Sequence, residues 1–233
     1  MVQRASRLRR DARCWFGYCS FPPIKLAGSI YSGFQLPRES TGVILEAIIT
    51  TMNDDGSANI SPMGCLVDQE ITSLVLRPYK STRTFANLKR QGIGVLHVTD
   101  DVELIARAAV GQLNPPPKMV VHRDTGATIL ANCCRWYAFR ATTIFDESDR
   151  TTVECEVTHQ GRIRDFFGFN RAKYAVVEAA ILATRLHILK PEDIRSQLKR
   201  LAEPVKKTAG DQERRAFDFL CAYIENGLQQ ANK

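Results

Sequence analysis

From Val43 onward the apolar residues first recur at every second position, and after Gly161 they recur with the period of a helix. Val43–Met52 alternates around ILEAIITTM and predicts a strand. Asn53-Asp54-Asp55-Gly56 predicts a tight hairpin turn, with Ala58–Ser61 as the return strand, stopped by Pro62 and Gly64. Ile71–Arg77 and Val95–Val98 are further short β-branched runs. Asp100-Asp101 offers a cap for a helix over Val102–Ala109. The stretch 111–128, with Pro115-Pro116-Pro117, predicts a long loop. Trp136–Phe145 and Thr151–Thr158 are strand-like, joined by a turn at Glu147-Ser148-Asp149. Beyond Gly161, Asn170 caps a predicted helix over Arg171–Leu189, with Ala172, Ala175, Val176, Ala179, Leu182, Ala183 and Leu186 at helical spacing. A second helix starts with Pro191 and a third after Gly210-Asp211. The pattern is that of a strand-rich, barrel-like region followed by a helical tail.

The stretch Ser73–Thr99 organises the rest. A strand leads through Pro78 and Tyr79 into a helix over Thr82–Arg90, capped by Ser81 and ended by Gly92 and Gly94. Lys80, Ser81, Thr82, Arg83 and Thr84 therefore crowd a helix start, where free N–H groups and the helix dipole favour an anion. Asn87 lies one turn further along the face of Arg83 and Thr84. This reads as a phosphate seat; the alternative is a well-capped surface helix with solvated cations. The second candidate is Asn59-Ile60-Ser61-Pro62-Met63-Gly64. A strand that ends in Pro and Gly lets a planar heterocycle approach free backbone groups, and the alternative is a β-bulge at a barrel corner. The third is the stripe Arg171, Tyr174, Glu178 and Arg185 on the long helix. Glu178 interrupts an apolar run, so it is either ion-paired with Arg171 or Arg185 or a substrate-pocket carboxylate.

Composition narrows the function classes. The 233 residues carry a net charge of +7, but the first 40 hold seven cations against two acids, which is +5 of it. The basic balance thus belongs mainly to a leader and speaks against a nucleic-acid-binding fold. Residues 1–40 lack periodicity and read as a targeting leader, a disordered arm or an overextended gene start; Arg9-Arg10 has no apolar run after it. The seven cysteines include no CxxC pair and suggest reduced thiols in a cytoplasmic protein. Cys133, Cys134 and Cys155 lie in strand-like runs and read as core residues. His97, His122, His159 and His187 are dispersed and make no metal-ligand spacing. No stretch is long and apolar enough to span a membrane. There is no Ser-His-Asp pattern, phosphate-binding P-loop or dinucleotide GxGxxG, and no residue is singled out as catalytic; Glu46 is an isolated acid.

The run IITTMNDDGSANISPMG, then LVLRPYKSTRTFANL, then GVLHVTDD, from Ile48 to Val98, resembles the FMN-binding split-barrel superfamily. That superfamily includes the flavin reductase-like proteins and pyridoxamine phosphate oxidase. The segment FGFNRAKYAVVEAAILATR and the helical tail are similar to an uncharacterised archaeal and bacterial family within it. The resemblance implies an α+β fold: an antiparallel split β-barrel at 41–165 with a C-terminal helical subdomain at 166–233. It implies FMN as cofactor, with the phosphate on the Ser81 turn at Thr82, Arg83, Thr84 and Asn87. Ser61, Pro62, Met63 and Gly64 would line the isoalloxazine edge, and Arg77 and Lys80 would be further anion contacts. It also implies a homodimer with the flavin at the interface. The expected function is a flavin-dependent oxidoreductase acting on a small molecule, the alternative being a non-enzymatic homodimer that binds flavin or another phosphorylated ligand.

Overall fold

The computed structural model describes residues 25–26, 42–123 and 126–230. The expected leader therefore lies outside the described residues, apart from Lys25–Leu26 (β1), which pairs in parallel with Thr143 and Ile144. Six longer strands close on themselves. They are β2 (Val43–Met52), β3 (Ala58–Val67), β4 (Ser73–Leu76), β5 (Ile93–Val98), β8 (Arg135–Phe145) and β9 (Thr152–Arg162). The order β8-β5-β2-β3-β4-β9, with β8 pairing back onto β9, makes an antiparallel barrel. Two register shifts along β8–β9 bend that pair, as closure requires. Ala47, Ile49, Leu74, Leu76, Leu96, Phe139 and Val153 fill the interior.

Between β4 and β5 sits α1 (Arg83–Gln91), ended by Gly92 in the left-handed conformation with its N–H on the Leu88 carbonyl. After β5 comes α2 (Val102–Ala109), capped by Asp101 as its sequence implies. The stretch expected as a long loop folds in part into a hairpin, β6 (Met119–Val121) with β7 (Thr128–Leu130). Its Ile129 and Leu130 cover the outward residues Ile48, Val95 and Trp136 of the barrel. Consecutive residues of β2 are therefore buried, one set inside the barrel and one beneath this cover.

The helical tail comprises α3 (Arg171–Ala183), α4 (Pro191–Thr208) and α5 (Asp211–Gln230). Ala172, Ala175, Ala179, Ala180 and Ala183 of α3 are buried, so neighbouring helices approach it closely. Val102 and Ala106 bring α2 into the same core, which joins the tail to the barrel. α3 stops at Ala183, short of the expected Leu189; the Thr184 hydroxyl turns back onto the Ile181 carbonyl and the chain leaves in turns. No helix among the described residues is long and apolar enough to cross a membrane.

Candidate functional site

β3 does not stop at Pro62. It pairs with β2 from Ala58 to Val67, and Ile48 lies opposite Pro62. Proline has no N–H, so it fits only where that position points away from the partner strand. Pairs alternate along an antiparallel ladder, so the backbone groups of Ile60, Pro62 and Gly64 face the other side. On that side β4 reaches only Leu66 and Val67, leaving the edge from Ala58 to Cys65 without a ladder partner among the described strands. The barrel is split there. Ser61, Pro62 and Met63 are half-buried along it and Gly64 is exposed. A Cβ on Gly64 would meet Ile44 Cγ2 at 2.9 Å and Glu46 Oε1 at 3.2 Å, so only glycine leaves this strip clear.

The start of α1 faces the split. The cap is Thr82, not Ser81: its Oγ1 accepts from the Phe85 N–H at 3.3 Å and donates to the Tyr79 carbonyl at 2.8 Å. Arg83 and Thr84 open the helix, where N–H groups have no carbonyl four residues back. Ser81, Arg83, Lys80 and Arg77 are exposed. Arg83 lies in electrostatic reach of Asp55 on the β2–β3 turn.

Thr84 and Asn87 are buried and turned towards the barrel. Asn59 Nδ2 donates to Thr84 Oγ1 at 3.0 Å and to Thr51 Oγ1 at 3.2 Å. Asn87 Nδ2 donates to Thr51 Oγ1 at 3.1 Å and to Asn53 Oδ1 at 2.8 Å, and its Oδ1 accepts from Arg90. The side chains of Thr84 and Asn87 thus bolt α1 to the β2–β3 hairpin, while those of Lys80, Ser81 and Arg83 remain exposed. Sequence reasoning missed Thr51 and Asn53. Thr51 falls within the last residues of β2 and Asn53 directly follows it, and no local pattern marks either as a partner of α1.

At the other end of the split edge, Glu46 stands opposite Gly64. Burial, and secondarily the charge of Glu178, raise its pKa above the ordinary carboxylate value. Glu178 reaches this point from α3 and is hydrogen-bonded to Tyr174, whose pKa is raised mainly by that carboxylate's charge. The expected ion pair with Arg171 or Arg185 is not among the described salt bridges, because both arginines are on exposed faces while Glu178 points to the barrel. Glu178→Ala should therefore leave the denaturation midpoint nearly unchanged and bring the Glu46 pKa down, read by NMR titration of the glutamate carboxyls. A large loss of stability would mean that Glu178 holds a buried cation after all.

The profile of the N-terminal domain of a family described as a protein of unknown function, DUF447, matches residues 45–164. The profile of its C-terminal part matches residues 170–222. Among solved structures, an FMN-bound protein of Methanosarcina mazei, itself assigned to DUF447, superposes with a TM-score of 0.66 at 20% identity, covering 77% of this chain and 94% of its own. The styrene monooxygenase flavin reductase of Pseudomonas putida S12 matches at 13% identity and a TM-score of 0.44, over 51% of this chain and 79% of its own. An FMN-binding protein of Thermus thermophilus matches at 11% identity and 0.44, over 59% and 81%.

Proposed function

The chain belongs to the DUF447 family, and on that premise we propose that it binds FMN along the split edge of the barrel and acts as a flavin-dependent oxidoreductase. One observation carries the reading. The Asn59–Thr84 hydrogen bond joins the two half-sites, the helix start that suits a phosphate and the open strand edge that suits a flat heterocycle. From Asn59 to Gly64 the strand spans about 16 Å, room for an extended sugar phosphate and a ring system. The FMN bound to the Methanosarcina mazei protein of the same family supports the choice of ligand.

In this reading the backbone N–H groups of Arg83 and Thr84, the Ser81 hydroxyl and the Arg83 guanidinium hold the phosphate, with Lys80 and Arg77 adding positive charge. The free carbonyls of Ile60, Pro62 and Gly64 and the N–H groups of Ile60 and Gly64 bond the polar edge of the ring. Bound FMN would supply the electron and hydride chemistry; the chain supplies orientation, exclusion of water and electrostatics. We further propose a homodimer with the flavin near the interface, supported by the exposed side chains of Ile44, Phe166, Phe167, Phe169 and Tyr174. Five described cysteines without disulfides support a reducing, cytoplasmic setting.

The test is binding of FMN and riboflavin, by fluorescence quenching, to wild type and Arg83→Ala. The variant should hold FMN more weakly by about 1–3 kcal/mol, the range for a hydrogen bond to a charged group. Riboflavin should bind both proteins weakly and alike. Equal affinity of wild type for the two flavins would move the phosphate elsewhere. Sedimentation of the loaded protein should give twice the chain mass, and NAD(P)H should reduce the bound flavin; an oxidised spectrum that survives excess NAD(P)H would leave only the binding role.

A further inference from the structure

The β6–β7 hairpin lies on the barrel without sharing a ladder with it. Among the described strands β6 and β7 pair only with each other, whereas β2 and β5 are built into the barrel sheet. Ile129 and Leu130 of β7 are buried over Ile48, Val95 and Trp136, and Ile60 of the split edge packs against the same cluster. The His122 ring leans on Trp136 with 4.8 Å between centroids. Two hydrogen bonds tie the backbone of β7 to the wall. The Thr50 hydroxyl donates to the Thr128 carbonyl over a long 3.4 Å, and the Leu130 N–H donates to His97 Nε2 at 3.2 Å. The bonds from the His122 N–H to the Ala127 carbonyl and from the Ala131 N–H to the Lys118 carbonyl, both 2.9 Å, stay within the hairpin and its base.

We propose that His97 is an acid-sensitive latch: protonation of its ring releases β6 and β7 from the barrel wall while the barrel itself stays folded. His97 is fully buried on β5, opposite Ile48 of β2 and Trp136 of β8. Its Nδ1 lies 3.2 Å from the Ile48 carbonyl. An imidazolium donates at both nitrogens, so Nε2 would meet the Leu130 N–H donor to donor. The charge would also stand in a dry pocket, where burial already pushes the ring's pKa down to about 4. One side has to move before water reaches Nε2. The Ile48 side is fixed by the pairing of β2 with β3 and β5. The Leu130 side belongs to a two-stranded ribbon, which has little stability of its own. The hairpin is therefore the part that yields, by a local opening that exposes less surface than unfolding does. The ionisable groups on the surrounding elements are Lys118, His122 and Arg123 of the hairpin, Arg135 and Arg140 of β8, Glu46 of β2, and Glu103 and Arg107 of α2. None of them acts on the ring, whose shift comes from burial and the Ile48 bond alone. Opening uncovers Ile48, Val95 and Trp136 and loosens the outer side of Ile60 at the split edge.

The experiment is amide hydrogen exchange of the full chain by NMR at pH 7 and pH 5, corrected for intrinsic rates and repeated at low urea. The opened ring takes up its proton near the free-histidine value of about 6.5 and the closed ring only near 4. Linkage then favours opening by about twentyfold more at pH 5 than at pH 7. The Leu130 and His122 amides should lose protection by about that factor. Global unfolding gains the same proton, so the distinguishing mark is surface. At pH 5 the hairpin amides should exchange faster than those of the β2–β3 ladder and hardly respond to urea, while the ladder amides accelerate with it. His97→Asn should abolish the pH response of the hairpin, and His122→Gln, which removes the hairpin's other imidazole, should keep it. Hairpin amides that match the β2–β3 amides in protection and urea dependence overturn the latch, because release then needs the whole barrel to unfold. So does equal hairpin protection at the two pH values, a response that survives His97→Asn, or one lost in His122→Gln. The wild-type comparison and His122→Gln decide the matter even where His97→Asn does not fold.

Discussion

Asp100→Ala is expected to destabilise the protein by about 3 kcal/mol, enough to bring a marginal domain close to unfolding. Asp100 is 6% exposed and stands where β5 gives way to α2. Its carboxylate accepts two hydrogen bonds from Arg164 and one, at 2.8 Å, from the Phe167 N–H. Its backbone carbonyl accepts from Lys173 Nζ, and that ammonium also pairs at 2.7 Å with Glu213 of α5. One residue thus ties the barrel to the segment that enters the helical tail. Removing one member of a buried pair costs about 3–5 kcal/mol. The lower end applies because Arg164 is about a third exposed and keeps its bonds to Asn132.

Urea denaturation of wild type, Asp100→Ala and Asp100→Asn measures the effect. The asparagine keeps an acceptor for Phe167 and should lose less. Equal midpoints for all three would mean that the junction does not depend on this carboxylate. The Arg164 hydrogen bonds, opposed by burial, hold the Asp100 pKa at about 2. Its folded value is below the unfolded one, so its contribution is complete above about pH 4 and is lost as pH falls through about 2.

His97→Ala should cost a similar amount, about 3–5 kcal/mol, for a different reason. The ring is fully buried on β5 and lies 3.2 Å from two backbone groups: Nδ1 to the Ile48 carbonyl and Nε2 to the Leu130 N–H. Nε2 can accept from that N–H only if it carries no proton, so the ring is the neutral tautomer with its proton on Nδ1. The histidine pins the β6–β7 hairpin to the barrel wall. Alanine would leave the Leu130 N–H without an acceptor and open a cavity where a ring stood.

Burial pushes the His97 pKa down to about 4, only partly offset by the Ile48 bond. The unfolded chain takes up this proton near pH 6.5 and the folded one only near 4, so stability falls as pH drops through that window. The loss is up to about 3 kcal/mol. The check is the stability difference between wild type and His97→Asn measured at pH 7 and at pH 4.5. Asparagine does not titrate, so the wild type's advantage should shrink at the lower pH. An advantage that stays constant would show that the folded His97 takes up its proton at the same pH as the unfolded chain.

The local code of this chain is strong. Alternating or short β-branched runs mark each of the six barrel strands, Asp101 and Asn170 announce α2 and α3, and Gly92 ends α1. These signals depend on residues within one turn or one strand of each other, so neighbours in sequence suffice to state them. The two proposed half-sites rest on signals of the same local kind. A helix start rich in hydroxyls and cations, and a strand carrying Pro and Gly, are chemical statements made in fewer than ten residues each.

What the tertiary structure decided is which groups face which partners. Pro62 reads as a strand stop, yet it continues β3 because its missing N–H falls on the unpaired side of the barrel. Thr84 and Asn87 read as ligand donors, but both are buried against the β2–β3 hairpin, where Thr51 and Asn53 take the N–H groups of Asn87 and Asn59 donates to Thr84. Glu178 reads as the partner of an arginine on its own helix, and packing of α3 against the barrel turns it to Glu46 instead. In each case the deciding neighbour lies far along the chain: 25 residues for Asn59 and Thr84, and the length of the barrel for Glu46 and Glu178. Residue type sets what a side chain can do; closure of the sheet sets what is left for it to do it with.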